Sequence, residues 1–170
     1  MDETFTVFFE EHVDYVYRSL RRLGVHERDL EDVTHEVFLE VHGAMVGFDA
    51  TRAAKPWLFA FAFRFASDYR RLARHRIVPT ADVDVAEERP GAERSLEDAE
   101  KRRLVAKALD SLDLDRRAVV VLHDVDEVPV PEIAAALGIP LNTAYSRLRL
   151  GREAFAMAVK RLRARERCRT

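Results

Sequence analysis

Between Asn142 and Arg152 the sequence sets amide, hydroxyl and guanidinium groups at helical intervals. At about 100° per residue, Asn142, Ser146 and Arg149 share the centre of one face, with Tyr145 and Arg152 on one flank and Thr143 and Leu150 on the other. The chemistry open to such a face is recognition: a helix showing these groups suits the edges of bases in a DNA major groove. A second set, His35, Glu36 and His42 in HEVFLEVH, carries metal-ligand side chains. The zinc-protease pattern needs histidines four apart on one helical face, however, and position 39 is Leu. No glycine-rich phosphate loop, nucleophile motif or reactive-cysteine site accompanies it. The reading is a non-enzymatic protein with no metal or cofactor.

A recognition face needs a packed face behind it. Ala144, Leu148, Gly151, Phe155, Ala158 and Leu162 recur in alternating steps of four and three, a continuous helical stripe. Arg147 is rotated toward that stripe, where it suits a backbone phosphate or an ion pair within the domain, with Glu132 one candidate. Upstream, Ile133, Ala134 and Leu137 give a shorter helix its apolar face. Gly138 stops that helix, Pro140 follows the stop, and Asn142 or Thr143 can cap the next one. Residues 131–151 thus read as a helix-turn-helix.

The rest of the chain has the same character. Its 170 residues are 48% hydrophobic and 34% charged, and apolar spacing is helical nearly throughout, so the expected fold class is all-α. The single cysteine, Cys168, excludes an internal disulfide and a cysteine zinc site. The start, MDETFTVFFEEH, lacks the basic opening of a signal peptide, and no run approaches the roughly 20 apolar residues of a membrane span. A cytoplasmic protein without membrane insertion is expected.

Phe5, Phe9, Val13, Val16, Leu20 and Leu23 form a first stripe, ended by Gly24. Asp29 opens a second helix with Leu30, Val33, Val37 and Val41 inward. Its other sides carry Glu31, Asp32, His35, Glu36 and Glu40, together with Phe38 and Leu39, which either belong to a partner surface or complete the local core. A loop over Val46–Pro56 holds Phe48, Asp49, Arg52 and Lys55. A long helix from Trp57 to about Arg76 then turns Trp57 or Leu58, Phe61, Phe65, Tyr69 and Leu72 inward. Arg64, Asp68, Arg71 and His75 line another side, with Arg70 and Arg74 beside them, a pattern suited to a nucleic-acid platform. Residues 78–94 are acidic and aperiodic and read as a mobile linker between two small helical domains, 1–77 and 95–170. In the second domain Ser95 opens a capping-box pattern, Asp115 is the candidate cap of the helix holding Val119–Leu122, and the basic tail from Lys160 is expected to fray beyond Leu162.

Taken in order, LEDVTHEVFLEVH, WLFAFAFRFASDYRRLARHR and the helix-turn-helix resemble a bacterial RNA polymerase sigma factor of the extracytoplasmic-function (ECF) type, in the sigma-70 family. The first stretch resembles the region-two helix that binds the polymerase clamp, the second the helix engaging the −10 element, and the third the region-four reader of the −35 element. The resemblance implies core polymerase binding by Asp32, His35, Glu36, Phe38 and Leu39. It implies −10 contacts, with help in holding a flipped base, from Phe48, Asp49, Trp57, Arg64, Asp68, Arg71 and Arg74. It implies −35 contacts from Asn142, Thr143, Tyr145, Ser146, Arg147, Arg149 and Arg152. Partners would be core RNA polymerase and promoter DNA, with an anti-sigma factor as a further candidate. The alternative is a stand-alone helix-turn-helix regulator that binds an operator as a dimer. His35, Ala60, Phe63, Arg64, Asp113, Ala144 and Tyr145 depart from residues common in the family, so promoter sequence does not transfer from a relative.

Overall fold

The structure, a computed structural model, describes residues 3–49, 51–75 and 96–168, the side chains of 3, 73–75, 96 and 97 excepted. Among the described residues there are seven α-helices and no strand. They are α1 (Glu3–Arg22), α2 (Leu30–Ala44), α3 (Ala54–His75), α4 (Leu96–Asp110), α5 (Leu114–Val120), α6 (Val130–Leu137) and α7 (Leu141–Arg167). The linker 78–94, the Ser95 cap and the side chain of Arg74 lie outside the described residues.

In the N-terminal half α1, α2 and α3 pack on one another. Val16, Leu20 and Leu23 of the first stripe are fully buried, and so are Leu30, Val37 and Val41 of the second. Gly24 takes φ +94°, and the amide of Val25 reaches back to the Leu20 carbonyl at 3.1 Å, closing α1 as a left-handed cap. On α3 the inward face differs from expectation. Leu58, Phe59, Ala62 and Ala66 are fully buried, Phe61, Phe65 and Tyr69 are half-buried, and Leu72 is exposed. The helix also begins at Ala54 rather than Trp57; Pro56 sits in its first turn, where its missing N–H leaves no intrahelical bond unmade.

In the C-terminal half α4, α5 and α6 pack against α7. Asp113, not Asp115, caps α5: its Oδ1 accepts the Arg116 amide at 3.0 Å, freeing Asp115 for an ion pair with Arg147. Beyond α5 the chain widens into one π-helical turn, Val121–Val125, and Glu127 adopts φ 57° before α6. The tail does not fray at Leu162; α7 runs 27 residues to Arg167, a rod of about 40 Å.

Candidate nucleic-acid interface

Gly138, at φ 64°, ends α6, and the Ile139 amide bonds back to the Ala134 carbonyl at 3.0 Å. Extended Pro140 is the residue before α7, so Asn142 and Thr143 lie inside the first turn and neither caps the helix. That leaves the Asn142 amide pointing outward. Asn142, Tyr145, Ser146, Arg149 and Arg152 are exposed, Thr143 and Arg147 are half-buried, and Ala144, Leu148, Gly151 and Ala158 are buried on the opposite side. The close approach of α5 explains the glycine: a Cβ on Gly151 would stand 2.6 Å from Val120 Cγ2.

The three arginines are held differently. Arg149 pairs with Glu153 at 2.8 Å, one turn along the same exposed face. Arg147 pairs across to Asp115 at 2.8 Å, rather than to Glu132. Arg152 Nε donates to Asp124 Oδ2 at 3.0 Å, and these bonds hold the Asp124 carboxyl below the usual carboxylate range.

On α2, Asp32, His35, Glu36 and Leu39 are exposed, Leu39 to 74%. Phe38 is not part of that surface. It is 3% exposed, its ring edge-on to Phe9 at 4.7 Å, so it completes the core of the N-terminal half. Phe48 and Trp57 form the centre of an aromatic group near the start of α3, their rings 4.5 Å apart, with Phe61 5.1 Å from Trp57. Beside it, Asp49 accepts the amide and hydroxyl of Thr51 at 2.9 and 2.7 Å, which lowers its carboxyl from the ordinary value and shapes the turn. Arg64 lies over the Phe61 ring and pairs with Glu40 of α2; Arg71 pairs with Asp68 at 3.2 Å.

Two family models match this chain in order: sigma-70 region 2 over residues 8–76, and sigma-70 region 4 over residues 102–155. The chain belongs to the sigma-70 family. Curated relatives place it among the ECF type. It is 34% identical over 146 residues to the ECF RNA polymerase sigma factor SigE of Mycolicibacterium smegmatis, spanning 84% of this chain and 56% of the relative. It is 31% identical over 145 residues to the ECF RNA polymerase sigma-E factor of Escherichia coli K12, spanning 79% and 75%. Its fold resembles CnrH in complex with the cytosolic domain of CnrY (24% identity, TM-score 0.66, 92% of this chain and 87% of that one). It also resembles RpoE in complex with the anti-sigma factor NepR from Bartonella quintana (19%, 0.72, 94% and 98%). The sigma factor directs core RNA polymerase to promoters, and the chemistry of transcription stays with the polymerase. No described helix is long and apolar enough to cross a membrane.

In this sigma factor region 2 and region 4 are docked on each other, which nothing in the sequence patterns had signalled. Arg117 of α5 is 1% exposed; its Nη1 donates to Asp110 at 2.9 Å and to the Arg22 carbonyl, at the negative end of α1, at 3.2 Å. Gly24 makes room for it: a Cβ there would lie 3.0 Å from the same Nη1. Tyr15 Oη donates to Asp126 at 2.8 Å, and Arg22 stands 3.6 Å from the same carboxylate. α3 also packs against α6.

Proposed function

We propose that the sigma factor meets its partners through three surfaces. Asp32, His35, Glu36 and Leu39 on α2 dock on core RNA polymerase, with Phe38 supporting the helix from beneath. Phe48, Asp49, Trp57, Arg64, Asp68 and Arg71 form the −10 surface, with Arg74 added on its sequence position alone. The aromatic group receives a base flipped from the opened strand; stacking worth about 1–3 kcal/mol per base offsets an unstacking cost of a few kcal/mol. Asn142, Thr143, Tyr145, Ser146, Arg147, Arg149 and Arg152 form the −35 surface. Residues 1–77 and 95–170 act as the two domains, 78–94 as their linker, and the site of action is the cytoplasm. An anti-sigma protein is a third partner, supported by the complex of the similarly folded RpoE with the anti-sigma factor NepR.

The observation carrying the reading is the exposed Asn142–Ser146–Arg149 face opposite a buried stripe. An exposed pair such as Arg149–Glu153 contributes only about 0–1 kcal/mol, so it exchanges readily for a base contact. Single-round transcription with purified core polymerase tests it: the chain should confer initiation at defined starts. A chain that bound duplex DNA as a dimer and left core polymerase unprogrammed would be an operator regulator instead.

A further inference from the structure

The face that presents Asn142, Ser146 and Arg149 does not end with them. Continuing in the same alternating steps, Glu153, Ala156, Lys160, Arg163 and Arg167 fall on one line with them, and every residue of that line is exposed. The buried stripe, by contrast, last touches the body of region 4 firmly at Ala158. Beyond it, with Leu162 half-buried, α7 carries Lys160, Arg163 and Arg167 on the reading face and Arg161 and Arg165 off it. None of these five cations forms an ion pair among the described residues, whereas Arg147, Arg149 and Arg152 nearer the helix start each do.

The major groove is about 12 Å wide, whereas this helix is about 40 Å long. With its first turns in the groove, a straight α7 carries Lys160 some 21 Å beyond Ser146, past the base edges and over the strand that borders the groove. What a row of cations meets there is phosphate. We propose that Lys160, Arg163 and Arg167 form a second, sequence-independent DNA contact that grips the backbone flanking the −35 element. It rests on the reading that α7 enters the −35 groove. It extends that reading from base recognition to a phosphate clamp built on the same helix.

The test compares two charge-matched variants in reconstituted holoenzyme: Lys160→Gln with Arg163→Gln on the reading face, and Arg161→Gln with Arg165→Gln off it. Gln keeps helix propensity close to that of the residues replaced. Binding to promoter fragments is measured between 50 and 200 mM salt, on the −35 sequence and on single-base variants of it. Each lost phosphate contact removes about 0.9 from the slope of log K against log salt. Across that fourfold range the on-face variant should therefore lose about twelvefold less affinity than the parent, with base preference unchanged. The off-face variant should follow the parent. Equal effects of the two variants would reduce the row to diffuse charge and overturn the clamp. An unchanged slope with weakened holoenzyme assembly would assign the row to an acidic protein surface and overturn it too. Loss of −35 base preference in the parent protein itself would instead refute the underlying reading of α7.

Discussion

Arg147 and Arg149 are two positions apart and should behave as different kinds of residue. Arg149 leaves the helix opposite the buried stripe and is 65% exposed at its side chain; Arg147 is 26% exposed and bonded to Asp115 on α5. Arg149→Ala should flatten preference at one −35 base pair, a loss of about 1–3 kcal/mol against the right base and little against the wrong ones. Arg147→Ala should weaken all −35 sequences alike or lower the stability of region 4. Binding to a panel of single-base variants at fixed salt separates the two. Helical phase alone gave this contrast, while the partner of Arg147 was not legible: choosing Asp115 over Glu132 depends on Asp113 taking the cap of α5. Phe38 and Leu39 show the same limit. An apolar pair among carboxylates does not say which member is turned inward until α1 brings Phe5 and Phe9 onto α2. Leu39→Ala should weaken core polymerase binding and leave thermal unfolding unchanged, whereas Phe38→Ala should cost about 3–5 kcal/mol of folding stability by leaving a cavity.

At the scale of elements, periodicity located every helix but did not always orient it. α3 carries aromatic residues at 57, 59, 61, 63 and 65, so its apolar signal covers most of the circumference. What sets its face is the pair of small residues Ala62 and Ala66, which let neighbouring helices approach and leave the larger rings half-buried at the flanks. Gly151 marks a similar close approach in region 4. In a solvent-exposed helix, Gly→Ala would gain about 1 kcal/mol of helix propensity. Here the added methyl meets Val120 Cγ2 at 2.6 Å and the Arg116 carbonyl at 3.3 Å, in a site that cannot open without moving α5. Overpacking of this kind costs about 1–3 kcal/mol, so Gly151→Ala should lower the melting temperature of the protein. Combining it with Val120→Ala should cost less than the sum of the two single changes, because the second substitution removes the atom the first collides with. Additive losses would mean that α5 and α7 are not held at this distance.

The whole molecule poses a problem of length. A compact chain of 170 residues has a radius of gyration of about 16 Å, whereas promoter elements centred near −10 and −35 lie about 25 base pairs, or some 85 Å, apart. With the −10 and −35 surfaces as proposed, the docked form does not span both elements on straight duplex, and we propose that regions 2 and 4 separate before promoter recognition. The contacts that oppose separation join residues far apart in sequence, Tyr15 with Asp126 and Arg22 with Arg117, which is why no local pattern announced them. Arg117→Met keeps the bulk of the buried side chain but removes its bonds to Asp110 and to the Arg22 carbonyl. Hydrogen bonds to a charged group contribute about 1.5–3 kcal/mol, so small-angle scattering should show a larger radius of gyration for this variant, and holoenzyme should assemble faster. An unchanged radius would place the hold elsewhere in the interface. Asp126 adds a pH dependence whose sign follows from its surroundings. Burial raises its carboxyl above the ordinary 3.8, against the pull of Tyr15, Arg22, Lys55 and Arg18. In separated domains that leave this carboxyl in water, the ordinary value applies. The docked form then binds the extra proton, so the Asp126 contribution to docking is fully present below the ordinary value and is lost as pH rises through the raised one. Asp126→Asn, which still accepts from Tyr15 but cannot ionise, should abolish that dependence in the same scattering measurement, and a variant that tracked the parent across the window would assign the titration to another group.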